Sequence, residues 1–100
     1  MKIYISGAMT GLPDYNRYAF FMAEEQLNAT NQYNEIYNPA RYNYDREKPF
    51  PYKKAMAEYA FYICNRADEI FMLRGWERSL GARAEHALAT AVGIKITYQG

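Results

Sequence analysis

The run Asp68-Glu69-Ile70-Phe71-Met72-Leu73-Arg74-Gly75-Trp76-Glu77-Arg78-Ser79-Leu80-Gly81 decides the fold. Its first six residues are an apolar stretch led by charge, which reads as a buried strand. A loop holding Gly75 and Trp76 follows, and Ser79 stands as an N-cap. Leu80 to Val92 is alanine-rich and helical, with Gly93 as its stop. Ile94-Lys95-Ile96-Thr97-Tyr98 is then the last strand. Strand, helix and strand in direct succession imply parallel strands joined by a right-handed crossover.

Working outward, the same alternation continues toward the N-terminus. Lys2 to Ser6 is β-branched and aromatic and stops at Gly7, giving the first strand. Gly7 to Asp14 carries two glycines and Pro13, the marks of a loop. Asn16 is placed to cap a helix, and Tyr18, Phe21, Met22 and Leu27 recur at helical spacing to about Ala29. Glu35 to Asn38 is a short strand closed by Pro39. Arg41 to Phe50 follows neither period and reads as a functional loop or partner-contacting segment. Pro51 suits the first helical position, and a second helix runs from there to about Arg66. The order β-α-β-α-β-α-β predicts an α/β three-layer sandwich with a four-stranded parallel sheet, flavodoxin-like. In such sheets ligands bind beyond the carboxyl ends of the strands. Three loops meet there: 7–14, 38–50 and 74–79.

Composition narrows the functional classes. A chain of 100 residues fits one domain, and half of it is apolar. The net charge of +1, with its basic residues scattered, argues against polymeric nucleic acid as a partner. No apolar run approaches the ~20 residues needed to cross a bilayer, so no membrane partner is expected. The start reads as a strand rather than a signal peptide, and the single cysteine, Cys64, allows no intrachain disulfide. A cytoplasmic protein is the expectation. Cys64 itself reads as a buried apolar filler of the second helix. The 11 tyrosines, many between Tyr33 and Tyr62, suit a half-buried surface near a subunit contact.

The stretch from Gly75 to His86 is where chemistry is expected. A helix N-terminus offers unpaired amides and a positive dipole end, suited to a phosphate or carboxylate. Gly81 lets a ligand approach the backbone, and Arg83 or Arg78 adds charge-assisted bonds. Glu85, within two turns of that helix start, is either a dipole-complementing surface residue or a crevice-facing carboxylate that the positive end keeps ionised. In the second case it can serve as a nucleophile at an anomeric carbon. His86 has no cysteine or second histidine at ligand spacing, so no metal site and no cofactor are expected. It reads as a packing or surface residue. In the first loop, Ser6-Gly7-Ala8-Met9-Thr10-Gly11 lacks the lysine of a P-loop. It is either a tight turn or a wall where Gly7 admits a sugar or base, with Met9 and Thr10 as further ligand contacts.

Ile3 to Pro13, Asn38-Pro39-Ala40, Ala67 to Ile70 and Gly75 to Ala89 together resemble small phage and bacterial proteins of undefined function, DUF4406-like. That group is similar to the nucleoside 2-deoxyribosyltransferases and the 2′-deoxynucleoside 5′-phosphate N-hydrolases. The most specific element is Ser-Leu-Gly-x-x-x-Glu, from Ser79 to Glu85. The resemblance implies Glu85 as the nucleophile at C1′ of deoxyribose, Ser79 and Gly81 as phosphate or sugar contacts, and Gly7 in the sugar pocket. Thr10 falls where the N-hydrolases carry a phosphate-binding arginine. The resemblance also implies a homo-oligomer whose neighbouring subunit completes the site, with Tyr42 to Tyr62 as contributors. Thr10 is one departure from the enzymes, and a weightier one is Ala60, which stands where they carry an aspartate that protonates the leaving base. Glu58, nearby, points to another helical face. Losing a general acid typically costs 10²–10⁴-fold. The expectations are therefore an N-glycosidic-bond enzyme acting on a deoxynucleoside or its 5′-monophosphate or, alternatively, a nucleotide-binding protein without turnover. A structural subunit is the third class.

Overall fold

The computed structural model describes residues 1–100. Four strands, β1 (Lys2–Ser6), β2 (Glu35–Tyr37), β3 (Glu69–Met72) and β4 (Lys95–Tyr98), alternate with three helices, α1 (Arg17–Ala29), α2 (Tyr52–Asn65) and α3 (Leu80–Val92). All neighbouring strands pair in parallel, in the order β2-β1-β3-β4. This is the flavodoxin-like sandwich expected from the alternation of elements. Its switch point lies beside β1, where the connections leave in opposite directions.

The two faces of the sheet carry different cores. On one face Ile5 and Leu73 pack with Phe20 and Ala23 of α1 and with Ala40. On the other, Tyr4, Ile70 and Met72 pack against Ala55, Tyr59, Tyr62 and Ile63 of α2 and Ala82 and Ala89 of α3. The alanines keep the two helices close to the sheet. Each large apolar side chain buried this way contributes about 1.5–3 kcal/mol. The two-residue period of β1 puts Tyr4 and Ser6 on the same face, toward α2 and α3.

Asn16, Pro51 and Cys64 are placed differently from the local expectations. Asn16 occupies the N-cap of α1 but does not cap it. It sits in a left-handed run with Asp14 and Tyr15, and its Nδ2 donates instead to the Ala8 carbonyl at 3.0 Å. Pro51 precedes α2 rather than opening it, and its carbonyl accepts from the Ala55 amide. Segment 41–50 folds back on its own chain: Tyr42 meets the Tyr59 ring edge-on at 5.8 Å, and Phe50 packs on Tyr42 and Tyr44. Many of the tyrosines therefore form an internal aromatic layer over the sheet, with Tyr4, Tyr37, Tyr59 and Tyr62 at its centre. Cys64 is exposed rather than buried, because α2 buries the stripe of Tyr59, Tyr62 and Ile63 and turns the next residue outward. Ser79 caps α3 as expected, its Oγ accepting from the Ala82 amide at 3.2 Å. Gly93 ends α3 in the left-handed conformation that suits glycine.

Candidate functional site

The carboxyl ends of β1 and β3, the loop after β1, segment 39–50, the first half of α2 and the start of α3 enclose a cavity of about 920 Å³. That volume lies within the range of small-molecule sites. Glu85 forms part of its wall. The residue is only 7% exposed, and its two carboxyl oxygens are held separately. Ser6 Oγ donates to Oε1 at 2.6 Å and Tyr4 Oη donates to Oε2 at 2.9 Å. Each oxygen therefore keeps acceptor capacity for a further partner.

No basic side chain pairs with Glu85. Burial pushes its carboxyl up to about 7, and the bonds from Ser6 and Tyr4 offset that only in part. The expectation that the helix end keeps it ionised is corrected: desolvation outweighs the donors around it. Near neutral pH both protonation states are populated. Tyr4, fully buried beside this carboxyl, is held well above the usual phenol range, by burial first and by Glu85 second.

The rest of the lining includes aromatic and cationic side chains. Tyr42, Tyr44, Phe50, Tyr52 and Tyr59 stand on one side, and Arg17, Arg46, Lys53, Arg74 and Arg78 contribute to the wall and rim. Some of these cations are engaged within the chain. Arg17 donates to the Ala40 carbonyl at 2.7 Å, Arg46 lies over the Tyr44 ring, and Arg74 donates to the Gly100 carbonyl. The first amides of α3 add donors that the helix itself leaves unpaired. A planar ligand bearing an anionic group fits such a surface, with rings for the plane and cations for the charge. Glu85 is the only carboxyl side chain in the lining, and no group of three His, Cys, Asp or Glu side chains converges on a metal position.

A family model described as a domain of unknown function (DUF4406) matches residues 1–98. The chain belongs to the DUF4406 family. No curated protein and no solved structure matches it. No helix of this DUF4406 chain is long and apolar enough to cross a membrane.

Of the site residues read from the sequence, Gly7, Met9, Thr10, Ser79, Gly81 and Glu85 of the DUF4406 chain all line this same cavity. Gly7 has a packing reason as well: a Cβ there would stand 2.9 Å from the Leu73 side chain. Thr10 Oγ1 lies 3.1 Å from Tyr52 Oη and ties the first loop to α2. Arg83 does not belong to the lining and is exposed. Two residues before Glu85 on a helix is a turn of about 200°, so it faces away, and Arg78 is the arginine from this stretch that reaches the rim. Ala60 is also outside the lining; α2 presents Ala55, Met56 and Tyr59 to the cavity. Glu58 accepts from Tyr37 Oη at 3.0 Å on the exposed side. His86 packs its ring on Trp76 at 4.3 Å and meets Tyr98 Oη at 2.8 Å, a surface packing role.

Sequence reasoning missed the two residues that hold Glu85. Tyr4 and Ser6 lie 81 and 79 positions away in the chain. Their signal is local: hydroxyl side chains at alternate positions on the inward face of an otherwise apolar strand.

Proposed function

We propose that this DUF4406 protein acts on the N-glycosidic bond of a deoxynucleoside or its 5′-monophosphate, with Glu85 as the nucleophile. One observation carries the reading. A buried carboxyl with no cation to neutralise it is oriented by two hydroxyls at the wall of a roomy cavity. Burying such a group is costly and contributes little to packing, which suits a reacting carboxylate better than a structural one. In the reaction the ionised Glu85 attacks C1′ of the sugar. The C1′–N bond breaks and its electron pair leaves with the base, which takes up a proton from water. Water, or a second base, then attacks C1′ of the glycosyl ester and frees Glu85. Ser79, Gly81 and the rim cations Lys53 and Arg78 hold the phosphate side of the ligand.

The test is direct. The protein is mixed at high concentration with each deoxynucleoside and each deoxynucleoside 5′-monophosphate, with and without a second free base, and release or exchange of base is measured. Release or exchange that disappears in Glu85→Gln is expected; the absence of both for every one of them removes the reading.

The second reading is a nucleotide-binding protein without turnover. It is favoured by the absence of another carboxyl from the cavity, which leaves no carboxylic acid to protonate the departing base. It predicts a nucleotide-dependent rise in melting temperature with no free base formed. A homo-oligomer accompanies either reading. Leu80, Leu12 and Tyr52 are exposed at the mouth, and a second copy would cover them. A monomeric mass in solution would remove that part. A cytoplasmic location accompanies either reading.

A further inference from the structure

One polar atom inside the molecule has no partner. Tyr59 is 7% exposed, its ring packed against Tyr4, Tyr37 and Tyr42, and its hydroxyl is buried without a hydrogen bond. Neighbouring rings of the aromatic layer are not left this way. Tyr4 donates to Glu85, Tyr37 to Glu58 and Tyr62 to Glu35. An unmade bond of this kind is unfavourable in a buried position.

The hydroxyl belongs to a side chain that lines the same cavity as Glu85. Tyr4, which donates to Glu85, has its ring 6.0 Å from that of Tyr59, yet no bond joins Tyr59 to the carboxyl. A phenol so placed keeps its proton and is a donor. An acceptor that enters the cavity beside this side chain would satisfy it.

We propose that Tyr59 is a ligand contact whose hydroxyl donates a hydrogen bond to the sugar-edge acceptor of a nucleotide base. The inference rests on the reading of Glu85 as the group that meets the sugar. An acceptor within reach of both the sugar-binding carboxyl and the aromatic layer lies on the edge of the base next to the sugar. Purines carry N3 there and pyrimidines O2, both acceptors. One fixed donor therefore serves every natural base and tolerates changes at the far edge.

The experiment is a double-mutant cycle by calorimetry, in the Glu85→Gln background so that no ligand is consumed. The probes are 2′-deoxyadenosine 5′-monophosphate and its 3-deaza analogue, in which N3 is replaced by C–H. Glu85→Gln is expected to bind the parent about tenfold more tightly than the analogue. Adding Tyr59→Phe is expected to bring the parent down to the analogue and to leave the analogue unchanged. Tyr59→Phe keeps the ring, so the ligand-free melting temperature is expected to stay the same or rise. Equal discrimination by both variants, or no binding of the parent nucleotide, overturns the proposal. If discrimination is lost with Tyr59→Phe while the wild type releases no base, the contact stands and the glycosidic reading falls. If the wild type releases base but Tyr59→Phe still discriminates, the glycosidic reading stands and the contact falls.

Discussion

Two buried carboxyls sit at opposite ends of the sheet and are fastened in nearly the same way. Glu69, the first residue of β3, accepts from Tyr33 Oη at 3.0 Å and from Thr97 Oγ1 at 2.7 Å. Glu85, at the carboxyl ends of the strands, accepts from Tyr4 Oη at 2.9 Å and Ser6 Oγ at 2.6 Å. One tyrosine and one small hydroxyl serve each. The difference lies in what else is near. Glu69 has the Lys95 ammonium 4.0 Å away and lies outside the large cavity. Glu85 has no cation and faces the cavity. Two donors therefore do not mark a reacting carboxyl. Missing charge compensation beside open space does, and this separates a structural glutamate from a candidate nucleophile.

The largest expected effect breaks that comparison outright. Glu85→Gln keeps size and shape and is expected to lower base release by on the order of 10⁴-fold or more. Glu69→Gln is expected to leave release within about threefold, since nothing in the cavity touches it. Equal losses from the two changes would erase the distinction.

The next effect is on stability and depends on pH. Burial raises Glu85 from its ordinary value of 4.5 to about 7, so the folded protein holds that proton more tightly than the unfolded chain. Between those two values stability falls as pH rises, and above about 7 the cost is fully present. It amounts to roughly 3 kcal/mol, at about 1.4 kcal/mol for each pH unit between the two values. Glu85→Gln removes it. Denaturant titrations at pH 4 and pH 8 are expected to show the variant gaining on the wild type only at the higher pH. A constant difference at both contradicts the assignment.

Glu69→Ala is expected to destabilise by about 2 kcal/mol, because it strands the hydroxyls of Tyr33 and Thr97. Thermal unfolding checks this, and an unchanged midpoint would mean that Glu69 is not the anchor its bonds suggest. The smallest effect sharpens the view of Glu85 itself. Its bond from Ser6 works against burial, so Ser6→Ala is expected to move the acidic limb of the pH–rate profile above 7 and to slow release about tenfold at neutral pH. A limb that stays in place would show that Ser6 does not hold the carboxylate.

Much of this was legible in the sequence, for identifiable reasons. The strands are short apolar runs set off by glycine, proline and capping residues, and Ser79 and Gly93 bound α3 as their chemistry requires. Glu85 is legible through the Ser79-to-Glu85 element that carries the resemblance, whereas its spacing from the helix start leaves a surface role open. What failed depended on rotation about a helix axis or on distant partners. Helical rotation turns Arg83, close to Glu85 in sequence, away from the cavity and brings Tyr59 of α2 into it. Cys64 was misjudged for the same reason. The tyrosines were legible as a cluster. Their inward packing was not, because it depends on segment 41–50 returning over α2, a contact with no local signature.

The central claim is tested most directly at the carboxyl itself. The protein is mixed with excess deoxynucleoside 5′-monophosphate, quenched in acid within one turnover and digested, and its peptides are weighed. A deoxyribose 5-phosphate adduct on the peptide carrying Glu85, absent from Glu85→Gln, is the predicted result. Base release with no adduct, or with the added mass on another residue, would contradict the account.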